Sequence, residues 1–363
     1  MTEPRAKLRL ISGVGAKGPA CFLLESDGSR LLLDLGEGPP PGRLPRLEGL
    51  GRIDAIILSH GHRDHVGGLS LTATLGNPPV YATEPVRRGL PKDITVLPLP
   101  IGGTTEVCGL PIKTGRNGHA PGGVWLYFSV GDGLLYTGDF CTESALYAYD
   151  ASTLPAATLL TDCSYATYET PLRECWTTLA PFLDRAPLLL PVPANGRGPE
   201  IALELMRHGR DDLYVDDAMD QALRRLADHD GHSVRPDAHA DIRRLVDRVR
   251  PIDGARGIML AGSPDGTSGA TKTLLPQCGA MPEVAILFTG YVNPTTPAEQ
   301  LTRNGRAQTM RWNVHPRLSD TVVLARAVSA KTVIPAFCDR SEFSALGAAL
   351  APACVTMAEQ IEL

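Results

Sequence analysis

Short apolar runs separated by turn residues dominate the first part of the chain, and each predicts a strand. The first three fall at residues 7–11, 20–25 and 30–34, with Asp27-Gly28 between the last two as a hairpin signal. Residues 53–59 are apolar and β-branched with one polar interruption, the pattern of a buried strand. Further strands are expected at 80–82, within 94–113, and at 124–130, 134–137 and 158–161. The pattern changes at Pro171. Residues 171–185 read as a helix, 188–193 as a strand, and 200–207 as a helix with Pro199 in the first-turn position. Residues 216–250 mix Arg and Asp with apolar residues at helical spacing, which predicts solvated amphipathic helices bearing His229, His232 and His239 at the surface. Strands at 258–261 and 285–290 follow. The tail returns to the earlier style, with a helix at 320–328, a strand at 331–337 and a helix at 344–350.

Alternating strands and helices place the chain in the α/β class. The changes of pattern divide it into 1–170, 171–310 and 311–363, the middle part reading as an α/β domain inserted into the first. With 363 residues, 43% apolar and 21% charged, the composition is that of a soluble globular protein. The formal net charge of −5 excludes a broadly basic nucleic-acid coat. A polyanion would have to meet a local basic patch or bound metal ions. The eight cysteines are scattered with no CxxC pair. With no leader visible at the N-terminus, they read as reduced thiols and the expected location is cytoplasmic. No run approaches the ~20 apolar residues of a membrane helix.

Chemistry concentrates just after the strand at 53–59. His60, His62, Asp64 and His65 fall within six residues, His60-Gly61-His62-Arg63-Asp64-His65, and Gly67-Gly68 follow. Imidazole and carboxylate are the donors preferred by zinc and similar divalent ions. A single strand-end loop can offer two such groups to one metal and two to its neighbour. The plainer reading, a solvated loop with scattered histidines, fits this donor density poorly. His119, Asp139 and Asp162 each stand at a later strand or loop end. Alone, each is as well explained as a cap or turn residue. Together with the first cluster they supply what a two-metal site lacks.

The constellation resembles the metallo-β-lactamase superfamily, and within it the β-CASP branch of nucleic-acid-processing hydrolases, which includes cleavage/polyadenylation endonucleases and bacterial ribonuclease J. His60–His65 matches the superfamily's HxHxDH form. His119 lies in a matching His-Ala-Pro-Gly-Gly stretch, and Asp139 lies in Tyr136-Thr137-Gly138-Asp139-Phe140. The branch is carried by Thr161-Asp162-Cys163-Ser164-Tyr165, by 190–200 around Asn195-Gly196-Arg197-Gly198, by Ser263–Gly269, by Phe288-Thr289-Gly290-Tyr291 and by His315.

The resemblance implies an αββα sandwich with an inserted α/β β-CASP domain. It implies a nuclease that cleaves RNA or single-stranded DNA with a metal-bound hydroxide. Two divalent ions, Zn or Mn, would be held by His60, His62 and His119 on one side and Asp64 and His65 on the other, with Asp139 between. His315 would be the general acid, oriented by Asp162. Asn195, Arg197, Ser263, Thr267, Ser268 and Lys272 are candidate substrate contacts, and plain turn chemistry explains those loops equally well. The substrate would be single-stranded or end-bearing. No membrane partner is implied, and oligomerisation is left open. One position departs from the family: Phe337 stands where RNA-processing members carry a metal-binding histidine, unless Cys338 or Asp339 substitutes. That weakens the second metal site. Two alternatives stay open, a hydrolase of a small ester, thioester or phosphoester, and a non-catalytic scaffold in a processing complex.

Overall fold

The computed structural model describes residues 6–185 and 187–363. Residues 1–5, in which no leader was visible, lie outside the described residues. The described chain forms two compact units. The first comprises residues through Thr142, with Tyr149–Glu169 and His315–Leu363. The second comprises Glu143–Ala148 and Thr170–Val314.

The first unit contains two seven-stranded sheets. The strand order of one is Gln360–Glu362, Lys7–Ser12, Cys21–Ser26, Ser29–Leu33, Ala55–Ile57, Val80–Ala82 and Val96–Pro98. The other runs Cys354–Val355, Thr332–Ala336, Thr158–Asp162, Leu134–Tyr136, Val124–Phe128, Leu110–Arg116 and Gly103–Val107. Alternation along the strands decides the layers. Leu24, Leu31, Leu33 and Ile57 from the first sheet meet Ile112, Leu126, Phe128 and Leu160 from the second in one buried core. The intervening residues face outward. Leu23, Leu32 and Ile56 pack with Leu69 and Leu75. Leu135, Leu159 and Val333 pack with Leu324, Leu346 and Leu350 of two helices. The result is an αββα sandwich, as the family resemblance implied.

The second unit has a six-stranded, all-parallel sheet ordered Arg250–Pro251, Leu213–Val215, Ile258–Ala261, Leu188–Pro191, Ala285–Phe288 and Gln308–Thr309. Both faces are covered, which explains the unbroken apolar runs Leu188–Pro191 and Ile258–Ala261. Leu188 and Leu190 lie in one core with Ile201, Leu223 and Leu245, while Leu189 and Met259 lie in another with Leu275 and Ala298.

Several boundaries differ from the sequence reading. The stretch 94–113 contributes one edge strand to the first sheet and two strands to the second. The helix expected from Glu200 begins at Arg197, so Pro199 is its third residue rather than its first. The return to the first unit comes at His315 rather than 311. Met310 and Trp312 extend the inserted unit, because their amides bond to Phe288 and Thr289 and the Trp312 ring is buried in its core. The strand Gln360–Glu362 was not foreseen; its three residues carry no apolar pattern, and pairing with Lys7–Ser12 defines it. His229 and His232 are exposed and His239 half-buried. Among the described residues no helix is long and apolar enough to cross a membrane.

One buried acid in the second unit makes stability depend on pH. Glu200 is 1% exposed and accepts from the Ala145 amide at 2.6 Å and the Trp312 indole at 3.3 Å. Burial raises its carboxyl from 4.5 to about 7, against the pull of the Ser144, Ala145 and Trp312 hydrogen bonds. The folded state therefore binds more protons than the unfolded state between those values, so stability falls as pH rises through this window. Glu200→Gln removes the titration. Relative to wild type, the variant should gain on the order of 3 kcal/mol between pH 4.5 and 8. Thermal melts of both proteins across that range check it, and parallel curves would contradict it.

Candidate metal centre

Strand ends of both sheets of the first unit deliver the candidate ligands to one place. Ala55–Ile57 leads into His60, and the short helix Arg63–Val66 carries Asp64 and His65. His119 follows Leu110–Arg116, Asp139 follows Leu134–Tyr136, and Asp162 ends Thr158–Asp162. Three ligand-type groups result: His60, His62, His119 and Asp139; Asp64, His65 and Asp139; and Asp139, Asp162 and His315. Within each group the donor atoms lie within 4.8 Å of one another. Asp139 belongs to all three. Its Oδ2 is 3.8 Å from His60 Nε2, 3.6 Å from His119 Nε2 and 3.7 Å from His315 Nδ1, while its Oδ1 is 3.2 Å from His65 Nε2.

The ring nitrogens show whether a cation fits. His60 Nε2 and His119 Nε2 lie 3.1 and 2.9 Å from the same atom, His62 Nδ1. Burial, reinforced by the neighbouring imidazoles, holds His60 well below its usual pKa, so it is neutral. Its Nδ1 faces Ser59 Oγ at 3.1 Å, which leaves the Nε2 lone pair aimed into the cluster. In His65, Nδ1 meets Asp34 Oδ2 at 2.7 Å and the buried Nε2 turns into the cluster, 3.2 Å from Asp139 Oδ1. Converging lone pairs with outward-facing N–H groups are what a divalent ion requires. The residues present fit one.

Charge is set by the surrounding groups. Burial opposes protonation of His65, but the Asp139 and Asp34 carboxylates raise it well above the usual value. Asp64 is held below the usual carboxylate range: burial works against this, and His65, Lys17 and His62 outweigh it. His315 Nδ1 lies 2.7 Å from Asp162 Oδ2. Against burial, Asp162 and Asp139 raise His315 above the ordinary histidine value. Asp162, likewise lowered against burial by His315, is also held by the amides of Ser164 and Phe140.

The sequence reading missed Asp34. It is fully buried and adopts φ +59°. Besides His65 it accepts from the Ser59 amide at 2.7 Å, Ser59 Oγ at 2.6 Å and the Tyr136 hydroxyl at 2.5 Å. An acid closing the strand at 30–34, two residues before Gly36, was the available signal. A Cβ on Gly36 would sit 1.7 Å from the Asp64 carbonyl oxygen, so only glycine permits this approach. Gly138, at φ +56°, has its Cβ direction 2.6 Å from Ser59 and brings Asp139 alongside in the same way.

Neither substitute for the departing histidine joins the cluster. Phe337 is buried at φ +62° with its ring in T-shaped contact with His65, centroids 5.1 Å apart. Burial pushes the Cys338 thiol up to about 12, and exposed Asp339 caps the Ser341 amide at 2.9 Å. The remaining candidates lie in the second unit. Asn195 and Arg197 follow Leu188–Pro191, and Arg197 Nε donates to Thr289 Oγ1 at 3.1 Å. Ser263, Thr267, Ser268 and Lys272 follow Ile258–Ala261. There the Ser263 and Thr267 hydroxyls both donate to Asp265, at 2.6 and 2.8 Å, which is turn chemistry.

Asp34→Asn presents an amide N–H to His65 Nδ1, which favours the tautomer with its proton on Nε2. Metal affinity at the Asp64–His65–Asp139 group should fall about 10–100-fold, with the His60–His62–His119 group retained. Metal counting after graded chelator dialysis reads this, and two equally held ions in the variant would contradict it.

Residues 14–177 match the profile of the Metallo-beta-lactamase superfamily. The chain is 26% identical to a transcription termination factor FttA of Methanothermobacter thermautotrophicus, across 79% of the chain and 56% of that protein. It is 29% identical to a ribonuclease of Thermus thermophilus, across 55% of the chain and 56% of that protein. The matches thus span about half the length of these relatives. A crystal structure of a protein of unknown function from Enterococcus faecalis shares the fold, with a TM-score of 0.64 over 99% of this chain and 100% of that one, at 12% identity. The sandwich, the inserted parallel-sheet unit and the ordered ligand signatures agree with these matches: residues 14–177 carry a metallo-β-lactamase domain, and the chain as a whole resembles the β-CASP branch of that superfamily.

Proposed function

We propose that the protein is a metal-dependent nuclease that hydrolyses phosphodiester bonds of single-stranded RNA. The carrying observation is Asp139, shared by two ligand groups and adjacent to the His315–Asp162 pair. The names of the relatives, a ribonuclease and a transcription termination factor, support RNA over DNA. His60, His62, His119 and Asp139 would hold one divalent ion, and Asp64, His65 and Asp139 a second with fewer protein donors. The nitrogen and carboxylate donors suit Zn first and Mn second. When bound, such ions activate water and neutralise phosphoryl charge.

The chain's own groups supply the rest. Asp162 occupies Nδ1 of His315, leaving Nε2 as the atom that hands a proton to the departing oxygen. Against burial, the pull of Asp162 and Asp139 favours the protonated form of that imidazole. Asp34 and Ser59 fix the rings of His65 and His60. In the second unit, Asn195, Arg197, Ser268 and Lys272 are the candidate phosphate contacts. Ser263 and Thr267 serve this less well, because Asp265 occupies their hydroxyls and would repel a phosphate.

The test is degradation of labelled single-stranded RNA and DNA with Zn²⁺ or Mn²⁺. Asp64→Ala should lower the rate at least about 100-fold through loss of the second ion. His315→Ala should lower kcat about 100-fold or more with metal content unchanged. Equal degradation by wild type and Asp64→Ala would contradict the reading. Turnover of small phosphodiesters with no action on RNA or DNA would move it to a small-molecule hydrolase.

A further inference from the structure

One hydrogen bond does not fix an imidazole. Pro316 disfavours helical backbone at His315, and Asp162 Oδ2 holds Nδ1 of its ring at 2.7 Å. The ring can still swing about that bond. A swing displaces Nε2, the atom that must meet the departing oxygen, and a misplacement of about 1 Å can cost a reaction about 100-fold.

Two other rings restrain it. His119 lies against the imidazole with centroids 5.0 Å apart and planes at 34°. Tyr165 meets it at 5.1 Å and 77°, a T-shaped contact. With the two contacts at such different angles, the imidazole cannot swing without striking or leaving one of them. His119 is committed to a ligand group, whereas Tyr165 is in none of the three.

The segment that carries Tyr165 holds it in place. The Cys163 amide donates to Ala336 O at 3.0 Å, which extends the pairing of Thr158–Asp162 with Thr332–Ala336. The Ser164 amide donates to Asp162 Oδ1 at 2.8 Å, and the Ala166 amide closes a turn on Cys163 O at 2.8 Å. Ala166 adopts φ +48°, and the Tyr168 amide closes a second turn on Tyr165 O at 2.9 Å. These turns bring the Tyr168 ring against that of Tyr165, with centroids 5.5 Å apart and planes at 74°. The Tyr168 carbonyl then accepts from the Leu318 amide at 3.1 Å, three residues beyond His315. The stretch 162–168 therefore supplies the acceptor for Nδ1, a ring beside the imidazole and an anchor for the backbone after it. All of these residues belong to the first unit.

We propose that Tyr165 is a positioning residue for the general acid, its T-shaped contact with His315 holding the imidazole so that Nε2 faces the departing oxygen. This rests on the nuclease reading. The competing role is packing alone. Packing would act on the fold and on bound metal, and its loss would be felt whether or not His315 is present.

Tyr165→Leu, Tyr165→Phe and the double variant Tyr165→Leu/His315→Ala separate the two. The readouts are kcat and KM for a short fluorescein-labelled single-stranded RNA, metal content and Tm. Tyr165→Leu should lower kcat about tenfold, with KM within about twofold of wild type and metal content unchanged. Tyr165→Phe keeps the ring and should recover kcat to within about threefold. The double variant should be no slower than His315→Ala alone, because residues that act through one another are not additive. If Tyr165→Leu does not fold, Tyr165→Met fills the space without a ring and takes its place. Unchanged kcat, loss of metal, failure of Tyr165→Phe to recover kcat, or the same tenfold loss in the His315→Ala background would overturn the proposal and leave the nuclease reading standing. If wild type cleaves no RNA, the nuclease reading falls and this proposal with it.

Discussion

A single buried carboxylate, Asp139, lies within 4 Å of four imidazole rings, and the architecture of the first unit serves that contact. Imidazoles crowded at this distance are tolerated only if most are neutral and their lone pairs share a cation, or if carboxylates stabilise those that are charged. Both solutions occur together. His60 is kept neutral by burial, whereas His65 and His315 lean on Asp34 and Asp162. The surrounding hydrogen bonds follow from this division: Ser59 and Tyr136 hold Asp34, and the Ser164 amide holds Asp162.

The sandwich makes such a convergence possible. Ala55–Ile57 belongs to one sheet, and Leu110–Arg116, Leu134–Tyr136, Thr158–Asp162 and Thr332–Ala336 to the other, yet the residues after them meet at one edge. Close backbone approach there requires glycine at positions such as 36, where any side chain would strike Asp64. Packing of Leu and Ile between the sheets fixes the strand ends that carry the donors.

What the sequence revealed follows the range of the interactions. His60–His65 was legible because a strand-end loop is a local feature, and the later ligands because each repeats the form of an apolar strand ending in one polar residue. The inserted α/β unit was legible from the change of pattern along the chain, and the two-layer core from the family resemblance. Asp34 was not singled out, because its value lies in contacts with His65 and Tyr136, 31 and 102 residues away. The strand Gln360–Glu362 was missed because only its partner Lys7–Ser12 makes it a strand. Ser263 and Thr267 looked like phosphate donors until Asp265 was seen to occupy them. Phe337 was marked as a departure, but its placement against His65 could be read only from the structure.

The central claim is that Asp139 is shared between two cation sites of unequal strength. An anomalous difference map from crystals grown with zinc or manganese tests it most directly. The account predicts two peaks, both at bonding distance from Asp139. The stronger should lie among His60, His62 and His119, and the weaker beside Asp64 and His65. No peak bonded to Asp139, or a single peak served by other residues, would contradict it.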